Sequence, residues 1–321
     1  MTSSFSLAIH GGAGTLRAAD QTAETEAAYR NGLAHALRAG QEILQSDGSA
    51  LDAVCAAVRV LEDDPLFNAG RGAVFTHEGS IELDAAVMDG ASGRAGAVAG
   101  VGRIRNPVLA ARAAMEHTRH VLLIGAGAER FAAEHGIEMV SPEYFHTRHR
   151  WEQLQKAKAE AAIMLDHDGA RAAMSFEPWK TDNKFGTVGA VARDRAGCLA
   201  AATSTGGLTN KFYGRVGDSP IVGAGTYADG RVAVSGTGVG EFFMRGLLAY
   251  DIAARMKYRA STLSEAVNQA IGEVLTAKGG QGGVIAIDVA GNVEFGFNTE
   301  GMYRGCIREG GEAVTAIYRQ A

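Results

Sequence analysis

The sequence predicts an α+β fold, in which helices dominate the first half and short strands gather around the middle and the end. Before about residue 165, the longest segments have the apolar spacing of amphipathic helices. After about residue 185, short apolar runs are separated by turns that contain Gly and Asp. The 43 glycines, with only 5 prolines, lie within these patterns and indicate tight turns rather than disorder. Helices that bracket a pair of mainly antiparallel sheets satisfy this order.

The first half begins with a predicted strand at 6–10 that runs into a glycine turn at 11–14. An amphipathic helix is predicted over 22–45, and Ser49 with Asp52 forms a capping box that opens a second helix over 50–62. The remaining elements are a polar turn at 65–72, strands near 80–89 and 95–103, a helix that starts at Asn106-Pro107, and a strand at 121–124.

The second half begins after residues 166–184, which are polar, lack clean periodicity and are predicted to form a mobile linker. Thr262 and Glu265 form another capping box, which opens a helix that extends to residue 276. The other predicted elements are a strand pair over 187–193 and 198–204 around a turn at 194–197, a strand at 232–235 that leads through 236–238 into a helix over 241–256, and a hairpin of 283–289 with 292–297.

Composition narrows the class of protein. With 321 residues, 46% hydrophobic and 21% charged, the chain suits one large globular domain or two small ones. A net charge of -5 argues against nucleic acid or an anionic membrane as a partner, and no stretch is apolar enough to span a bilayer. Cys55, Cys198 and Cys306 lie far apart, which argues against a disulfide scaffold. Because the N-terminus also lacks the features of a signal peptide, we expect a cytoplasmic protein.

Six glycine-containing motifs follow one another along the chain. They are His-Gly-Gly-Ala-Gly at 10–14, Asn-Ala-Gly at 68–70, Gly-Thr-Val-Gly-Ala-Val-Ala at 186–192, Thr-Ser-Thr-Gly-Gly at 203–207, Gly-Arg-Val-Gly-Asp-Ser-Pro at 214–220 and Ser-Gly-Thr-Gly at 235–238. Taken alone, the motif at 186–192 is only the start of a strand. Together, the motifs resemble the plant-type asparaginase and isoaspartyl peptidase family of N-terminal nucleophile hydrolases, and especially its bacterial members. The resemblance runs from residue 9 to residue 303.

This resemblance implies a four-layer αββα sandwich in a single domain spanning residues 1–321. It also implies self-cleavage of the bond between Gly186 and Thr187, which gives fragments 1–186 and 187–321, and association of two processed heterodimers. The implied activity is the hydrolysis of L-asparagine and of isoaspartyl (β-aspartyl) peptides, so the expected partner is a small molecule or a dipeptide.

Simple chemistry explains why such an enzyme cuts itself. A buried threonine hydroxyl is a weak nucleophile without a base beside it. Once Thr187 is an N-terminus, its own α-amine, with a reference pKa of about 7.7–8.0, lies within reach of the hydroxyl and serves as that base. Gly186 suits the cleavage step because glycine permits a strained backbone conformation.

The catalytic residues follow from the motif match. The resemblance implies that Thr205 and Asn68 orient the amine and hydroxyl of Thr187. It also implies an oxyanion hole formed by Thr237 and the N–H of Gly238, and one such donor typically contributes about 3 kcal/mol to transition-state stabilisation. Without the family context, Thr205 would be read as the end of a strand and Asn68 as a loop cap.

Two further residues are implied to bind the substrate. Arg215 would pair with its α-carboxylate, a bidentate task that Lys performs poorly. Asp218 would receive its α-ammonium, with help from the Gly238 carbonyl. Outside this long motif, both side chains would be read as ordinary surface charges.

The resemblance implies no organic cofactor but a structural sodium ion held by main-chain carbonyls. Hard cations favour oxygen ligands of this kind. The matching residues are Leu61, Glu62, Asp64, Phe67, Ala69 and Arg71.

Three other functions were weighed against this one. A glycosylasparaginase typically has Asp before its nucleophile and is usually secreted with disulfides, so Gly186 and the sparse cysteines argue against it. A protease of the taspase type needs extra insertions that this chain lacks. A non-catalytic binding protein on the same fold is disfavoured because Thr187, Thr205, Asn68 and Arg215 are all intact.

Two local patterns are predicted to be structural. Residues 125–130, Gly-Ala-Gly-Ala-Glu-Arg, follow an apolar strand but lack the third glycine of a dinucleotide-binding fingerprint, which favours a packing turn. His146, Arg148, His149 and Arg150 are predicted to form a solvated helix face.

Overall fold

A computed structural model of the chain describes residues 4–14, 21–172 and 186–319. The strands are β1 (Ser6–Gly14), β2 (Leu83–Asp89), β3 (Ala95–Val101), β4 (Leu122–Ile124), β5 (Val188–Arg193), β6 (Leu199–Thr205), β7 (Thr226–Ala228), β8 (Val232–Gly238), β9 (Gly282–Asp288), β10 (Val293–Phe297), β11 (Gly301–Arg308) and β12 (Val314–Tyr318). The α-helices are α1 (Ala23–Gln45), α2 (Ala50–Asp63), α3 (Pro107–His117), α4 (Gly125–Glu134), α5 (Arg148–Ala172), α6 (Gly240–Gly246), α7 (Leu248–Arg259) and α8 (Leu263–Ala270).

The strands form two sheets, as the α+β prediction requires. The larger sheet has the order β12-β11-β1-β5-β6-β2-β3-β4, and the smaller has the order β10-β9-β8-β7. Neighbouring strands are antiparallel in both sheets, except that β3 and β4 run parallel. The predicted pair of mainly antiparallel sheets is therefore confirmed.

Three hydrophobic clusters hold these elements together. The first contains side chains of α1, α2 and α3 together with one face of the larger sheet. The second contains residues of both sheets, and the third joins the smaller sheet to α7 and α8. Strand β5 shows the division, since Ala190 and Ala192 belong to the first cluster while Val191 belongs to the second. Alternate residues of a strand point to opposite faces, so both faces of β5 are buried.

Several predicted helix starts are confirmed by their caps. The Thr22 hydroxyl accepts the Thr25 N–H at 3.1 Å before α1. The Ser49 hydroxyl accepts the Asp52 N–H at 3.1 Å before α2. At α8, Thr262 forms a complete capping box with its third helical residue. In each case a side-chain oxygen binds an N–H group that has no partner within the helix.

The predicted glycine turn at 11–14 is wrong, because β1 continues as a strand to Gly14. The register against β11 shifts between His10 and Gly12, which marks a bulge. A side chain at Gly11 would collide with the ring of Phe67, and Gly12 has a φ of 114°. The glycines thus allow an irregular strand to pass close to its neighbours rather than turn.

The single helix predicted over 241–256 is also wrong, since Leu247 adopts a left-handed conformation with a φ of 46° between α6 and α7. The N–H groups of Ala249 and Tyr250 donate to the carbonyls of Ala224 and Gly223 at 3.1 and 2.8 Å. Because these N–H groups find partners in another loop, the first turn of α7 is satisfied without continuing from α6.

Other differences concern element ends. Helix α8 gives way to a π-helical turn at Ile271–Leu275 and a 3-10 turn at Thr276–Lys278. The predicted packing turn at Gly125 is instead the first residue of α4. Helix α5 runs to Ala172, so the expected linker at 166–184 is wrong over its first seven residues, and 173–184 lie outside the described residues. Within the described ranges, no helix combines the length and the apolarity needed to traverse a bilayer.

Candidate active site

Thr187 lies directly before β5 and faces the end of β6. Strands β5 and β6 are antiparallel with Val188 opposite Ser204, so one further step brings Thr187 beside Thr205. The Thr187 hydroxyl is buried and donates to the Thr205 hydroxyl at 3.1 Å. The Thr205 oxygen also accepts the Gly207 N–H at 2.9 Å. Thr205 is therefore held by the backbone in a position that orients the hydroxyl of Thr187.

Asn68 braces the loop beside this pair. Its side-chain amide donates to the Gly207 carbonyl at 2.7 Å and accepts the Val74 N–H at 2.9 Å. Its own carbonyl accepts the Gly206 N–H at 3.1 Å. These contacts place Asn68 next to the nucleophile through the loop that follows Thr205, rather than through a direct hydrogen bond to Thr187.

Gly186 fits its position because no side chain could occupy it. A Cβ there would lie 2.6 Å from the Cβ of Asn68. The residue before the nucleophile thus packs directly against the Asn68 loop, and only glycine permits this approach. Gly186 and Thr187 both line the same small cleft.

Thr237 and Gly238 are the last two residues of β8, and Gly238 is the one that lines the cleft. The Thr237 oxygen accepts the Ala13 N–H at 3.2 Å, which leaves its hydroxyl proton free to donate to a ligand. Gly238 lines the cleft with a φ of 156°, and a Cβ there would collide with the Gln281 carbonyl. Glycine is therefore required at this point of the cleft wall.

Arg215 reaches the cleft from the loop before β7. Its Nε and Nη2 atoms form a bidentate pair with the Glu241 carboxylate at 2.9 to 3.0 Å. Nη1 lies toward Gly207 and Gly217, where an added Cβ would be 3.4 and 2.8 Å from it. Glu241 therefore occupies one edge of the guanidinium, and the other edge is directed at the glycines of the cleft wall.

Asp218 is buried, with 3% of its surface exposed. Its Oδ2 atom has no hydrogen-bond partner among the described residues. Burial raises the pKa of this carboxyl to about 7, and the charge of Arg215 opposes that shift. A buried carboxylate oxygen without a partner is costly unless a donor or a cation fills the space beside it. The geometry therefore fits a ligand that carries an ammonium group.

The structure brings most of the predicted site together. Thr187, Thr205, Arg215, Asp218 and Gly238 all line one cleft. A nucleophile with an oriented hydroxyl thus lies in the same space as a guanidinium and an unpaired carboxylate. Such an arrangement can act on a small zwitterion that presents a susceptible group to Thr187.

Sequence reasoning missed three residues near the cleft. Glu241 holds Arg215, and its only signal was an acidic residue in the first turn after the motif at 235–238. His10 is fully buried and lies 3.0 Å from the Thr187 carbonyl through Nδ1. Lys211 is buried with its Nζ donating to the Glu82 carbonyl at 2.9 Å, and burial lowers its pKa. All three act through partners that are distant in sequence.

The predicted sodium loop begins where α2 ends, and carbonyls there lack donors from the helix. Pro65 has no N–H, so the Leu61 carbonyl loses the donor that an α-helix would supply four residues on. The Leu66 N–H donates to Asp64 Oδ1 at 3.0 Å instead of the Glu62 carbonyl. The end of α2 therefore presents carbonyl oxygens that a hard cation can use.

Two other carbonyls of the loop already accept a backbone hydrogen bond, that of Asp64 from the Phe67 N–H at 3.3 Å and that of Ala69 from the Gly72 N–H at 3.2 Å, and each keeps a second lone pair. An added Cβ on Gly70 would collide with the Glu62 carbonyl, and one on Gly72 with the Phe67 carbonyl, so both glycines leave room at these oxygens. The Arg71 guanidinium lies over the ring of Tyr144, with Cζ 5.7 Å from the ring centroid. The residues present thus fit a monovalent cation.

Arg150 corrects the prediction of a solvated helix face, because it is only 7% exposed. Its Nε donates to the Gly72 carbonyl at 2.7 Å and its Nη2 to the Leu66 carbonyl at 3.3 Å. It therefore ties α5 to both ends of the loop that carries Asn68. The other three members of the predicted face, His146, Arg148 and His149, are exposed.

Comparison with known proteins identifies the family. The sequence profile of the asparaginase family matches residues 3–317. The chain therefore belongs to the asparaginase family.

Individual relatives are similar over nearly their full length. Isoaspartyl peptidase from Escherichia coli K12 is 55% identical over 315 residues, which cover 98% of this chain and 96% of the relative. Isoaspartyl peptidase from Salmonella typhimurium is 54% identical, with 98% of each chain covered. Plant-type L-asparaginase from Pyrococcus furiosus is 41% identical, with 94% of this chain and 96% of the relative covered.

Proposed function

We propose that this protein is an isoaspartyl peptidase and L-asparaginase that hydrolyses L-asparagine and β-aspartyl peptides with Thr187 as its nucleophile. The observation that carries the proposal is the cleft in which Thr187 lies together with Arg215 and Asp218. The names of the relatives from E. coli and P. furiosus support the same substrate class.

Maturation is proposed to start with attack of the Thr187 hydroxyl on the Gly186 carbonyl carbon. The Oγ–C bond forms, the C–N bond breaks and the hydroxyl proton passes to the released nitrogen, which leaves an ester. The released nitrogen is the α-amine of Thr187, and water then hydrolyses the ester, giving the Gly186 carboxylate and restoring the Thr187 hydroxyl. The contact with Thr205 orients the hydroxyl for this step.

In the mature enzyme, the α-amine of Thr187 takes the proton of its own hydroxyl as the oxygen attacks the substrate amide. The negative charge that develops on the substrate oxygen is proposed to accept hydrogen bonds from the Thr237 hydroxyl and the Gly238 N–H. The bond from the Ala13 N–H to the Thr237 oxygen supports this role, because it keeps the hydroxyl proton available. The proton held by the amine goes to the leaving nitrogen, and water hydrolyses the acyl-enzyme.

We propose that residues 1–321 fold as a single domain, a four-layer αββα sandwich. Processing would divide this domain into fragments 1–186 and 187–321. In the larger sheet, β1 lies between β11 and β5, and β2 pairs with β6. Strands of the two fragments are thus interleaved, so cutting one bond would leave them associated. Two processed heterodimers, each made of one fragment 1–186 and one fragment 187–321, are proposed to associate. The mass of the assembly measured by light scattering can check this.

We also propose a cytoplasmic location, which is supported by the absence of any disulfide among Cys55, Cys198 and Cys306. Cell fractionation with a compartment marker would test it.

A sodium ion is proposed to bind the carbonyls of Leu61, Glu62, Asp64, Phe67, Ala69 and Arg71 and to stabilise the Asn68 loop. Replacing sodium with a bulky organic cation should lower kcat without unfolding the protein, because the loop would lose order beside Thr205. Activity and circular dichroism measured in both salts check this. Equal activity in the two salts, with no ion in a high-resolution density map, would remove the sodium site.

The pH dependence of substrate binding follows from Asp218. Below about pH 7 its carboxyl becomes protonated and can no longer pair with an α-ammonium, so the KM for β-Asp-Leu should rise about tenfold per pH unit there. Above pH 7 the KM should be flat. Asp218→Asn should have a high KM at every pH, whereas the exposed control Asp47→Asn should match the parent. A parent KM that stays constant between pH 5 and 8 contradicts this role.

The function is tested by comparing β-Asp-Leu with α-Asp-Leu, alongside Asn, Gln and glycosylasparagine. We expect rapid hydrolysis of β-Asp-Leu and Asn and none of α-Asp-Leu, because an α-linked peptide has no free α-carboxylate for Arg215. Hydrolysis of both isomers at equal rates would overturn the substrate class. Preference for glycosylasparagine would indicate the related glycosylasparaginase activity instead.

A further inference from the structure

A continuous chain of buried polar side chains runs beneath the nucleophile. His10 Nδ1 lies 3.0 Å from the Thr187 carbonyl oxygen, and its Nε2 lies 2.9 Å from the Ser235 hydroxyl. The Ser235 oxygen lies 2.7 Å from that of Thr203, which in turn lies 2.6 Å from the Thr226 hydroxyl. The four side chains, His10, Ser235, Thr203 and Thr226, belong to β1, β8, β6 and β7 in that order, so the chain crosses between the two sheets.

The hydrogen-bonding partners fix the protons of the first two members of this chain, His10 and Ser235. A carbonyl oxygen can only accept, so His10 must carry its proton on Nδ1 and donate it to Thr187. Burial lowers the pKa of His10 to about 3, so the ring is neutral and Nε2 accepts from the Ser235 hydroxyl. The Ser235 oxygen can then accept from Thr203, and that of Thr203 from Thr226, although the carbonyls of Gly225 and Ser219 also accept from these two threonines at 3.2 and 3.0 Å. Each bond in such a chain polarises the next.

Thr187 needs this support because it lies at the edge of regular structure. The registered pairs of β1 with β5 end at His10 and Gly189, and those of β5 with β6 begin at Val188. The Thr187 carbonyl therefore lies beyond the last registered pair of β1 with β5, and the side chain of His10 supplies its donor. After cleavage Thr187 also loses its covalent connection to Gly186, so the remaining contacts decide where its hydroxyl points.

We propose that His10 is a positioning residue for the Thr187 nucleophile, held in a single tautomer by the buried hydroxyls of Ser235 and Thr203. This inference rests on the function proposed above. His10 holds Thr187 at its carbonyl oxygen, whereas Thr205 holds it at its hydroxyl. Two fixed points define the orientation of the residue at both ends.

A buried histidine beside a nucleophile also suggests a general base, and the contacts exclude that role here. Nδ1 donates to the carbonyl of Thr187, and Nε2 is engaged by Ser235. Neither nitrogen is available to accept the proton of the Thr187 hydroxyl, which points to Thr205 instead. The two roles therefore predict different kinetics.

The proposal is tested with His10→Leu, His10→Asn and Ser235→Ala. Leu removes the donor, Asn offers an amide N–H in its place, and Ser235→Ala removes the partner that fixes the tautomer. His120→Asn and Ser264→Ala change exposed residues and serve as matched controls. For each variant, kcat and KM for β-Asp-Leu, the rate of self-cleavage and the pH profile of kcat are measured.

We expect His10→Leu to lower kcat about 100-fold, as for other losses of alignment near 1 Å, with KM within about threefold of the parent. His10→Asn should recover at least a tenth of parental kcat, and Ser235→Ala should fall between parent and His10→Leu. The acidic limb of the pH profile should persist in all active variants, because it belongs to the Thr187 α-amine. Loss of that limb in His10→Asn would show that His10 is a general base. An unchanged kcat with a raised KM in both His10→Asn and Ser235→Ala would show that His10 has a structural role only.

The tautomer is measured separately by nitrogen NMR of histidine-labelled parent protein, with the His10 signal assigned from His10→Asn. A neutral ring protonated on Nδ1 at pH 7 is expected. A proton on Nε2, or a charged ring, overturns the inference even if β-Asp-Leu is hydrolysed. If the expected tautomer is found in a parent protein that hydrolyses no substrate, the proposed function fails while the contact chain stands.

Discussion

Replacing Thr187 with Ala is expected to give a folded chain that stays whole and hydrolyses neither L-asparagine nor β-aspartyl peptides. The variant lacks the oxygen that attacks Gly186 during maturation and the substrate during turnover. Loss of a nucleophile of this kind lowers kcat by about 10⁴-fold or more. Folding should survive, because Thr205 keeps its bond from the Gly207 N–H and one lost hydrogen bond costs only about 1 kcal/mol.

Thr187→Ser separates the need for an oxygen from the need for its position. Serine retains the hydroxyl but lacks the β-methyl group that restricts χ1, so the variant should cut itself and turn over substrate more slowly than the parent. Thr25→Ala, at an exposed position of α1, is the matched control and should behave like the parent. Hydrolysis of asparagine by Thr187→Ala at the parental rate would show that another residue is the nucleophile.

Replacing Arg215 with Ala is expected to lower kcat/KM for β-Asp-Leu by about two to four powers of ten, which corresponds to roughly 3–5 kcal/mol. The substrate α-carboxylate would be left without its partner in the cleft. Self-cleavage should be largely spared, because that step involves no free amino acid. The fold should also survive, since the abandoned carboxylate of Glu241 is 33% exposed and can be hydrated.

The geometry sharpens this prediction, because Glu241 already occupies the Nε edge of Arg215. Arg215→Lys should recover only part of the activity, since one ammonium cannot hold Glu241 and bind a carboxylate in two directions. Arg148→Ala, whose side chain is 92% exposed in the parent, is the control. A substrate with an amidated α-carboxylate should fail on the parent. If Arg215→Ala instead lowered kcat/KM by the same factor for substrates with an amidated and with a free α-carboxylate, Arg215 would not bind the carboxylate.

The sequence was informative where function depends on residues within one motif. Thr187, Thr205, Arg215, Asp218 and Gly238 were all predicted, and all line one cleft. The amphipathic helix α1 and the caps of α2 and α8 were also predicted, because caps and amphipathic periodicity are local signals.

What could not be predicted depends on contacts between distant segments. Glu241 binds Arg215, and His10 binds Thr187, only because the two sheets place their strands together. Arg150 looked solvated, yet its partners are carbonyls of a loop far away in sequence. Strands β7, β11 and β12 were missed, because a short strand with buried or mixed faces lacks the alternation that identifies a strand.

The most direct measurement is intact mass spectrometry of the purified protein, followed over time after dilution. We predict two chains that correspond to residues 1–186 and 187–321, with the smaller beginning Thr-Val-Gly-Ala, and a cleavage rate that does not change with protein concentration because the reaction is intramolecular. The same sample should gain hydrolysis of β-Asp-Leu in step with the appearance of the smaller chain. A single uncut chain that nevertheless hydrolyses β-Asp-Leu, or a smaller chain that begins at a residue other than Thr187, would contradict the assignment of Thr187 as the N-terminal nucleophile.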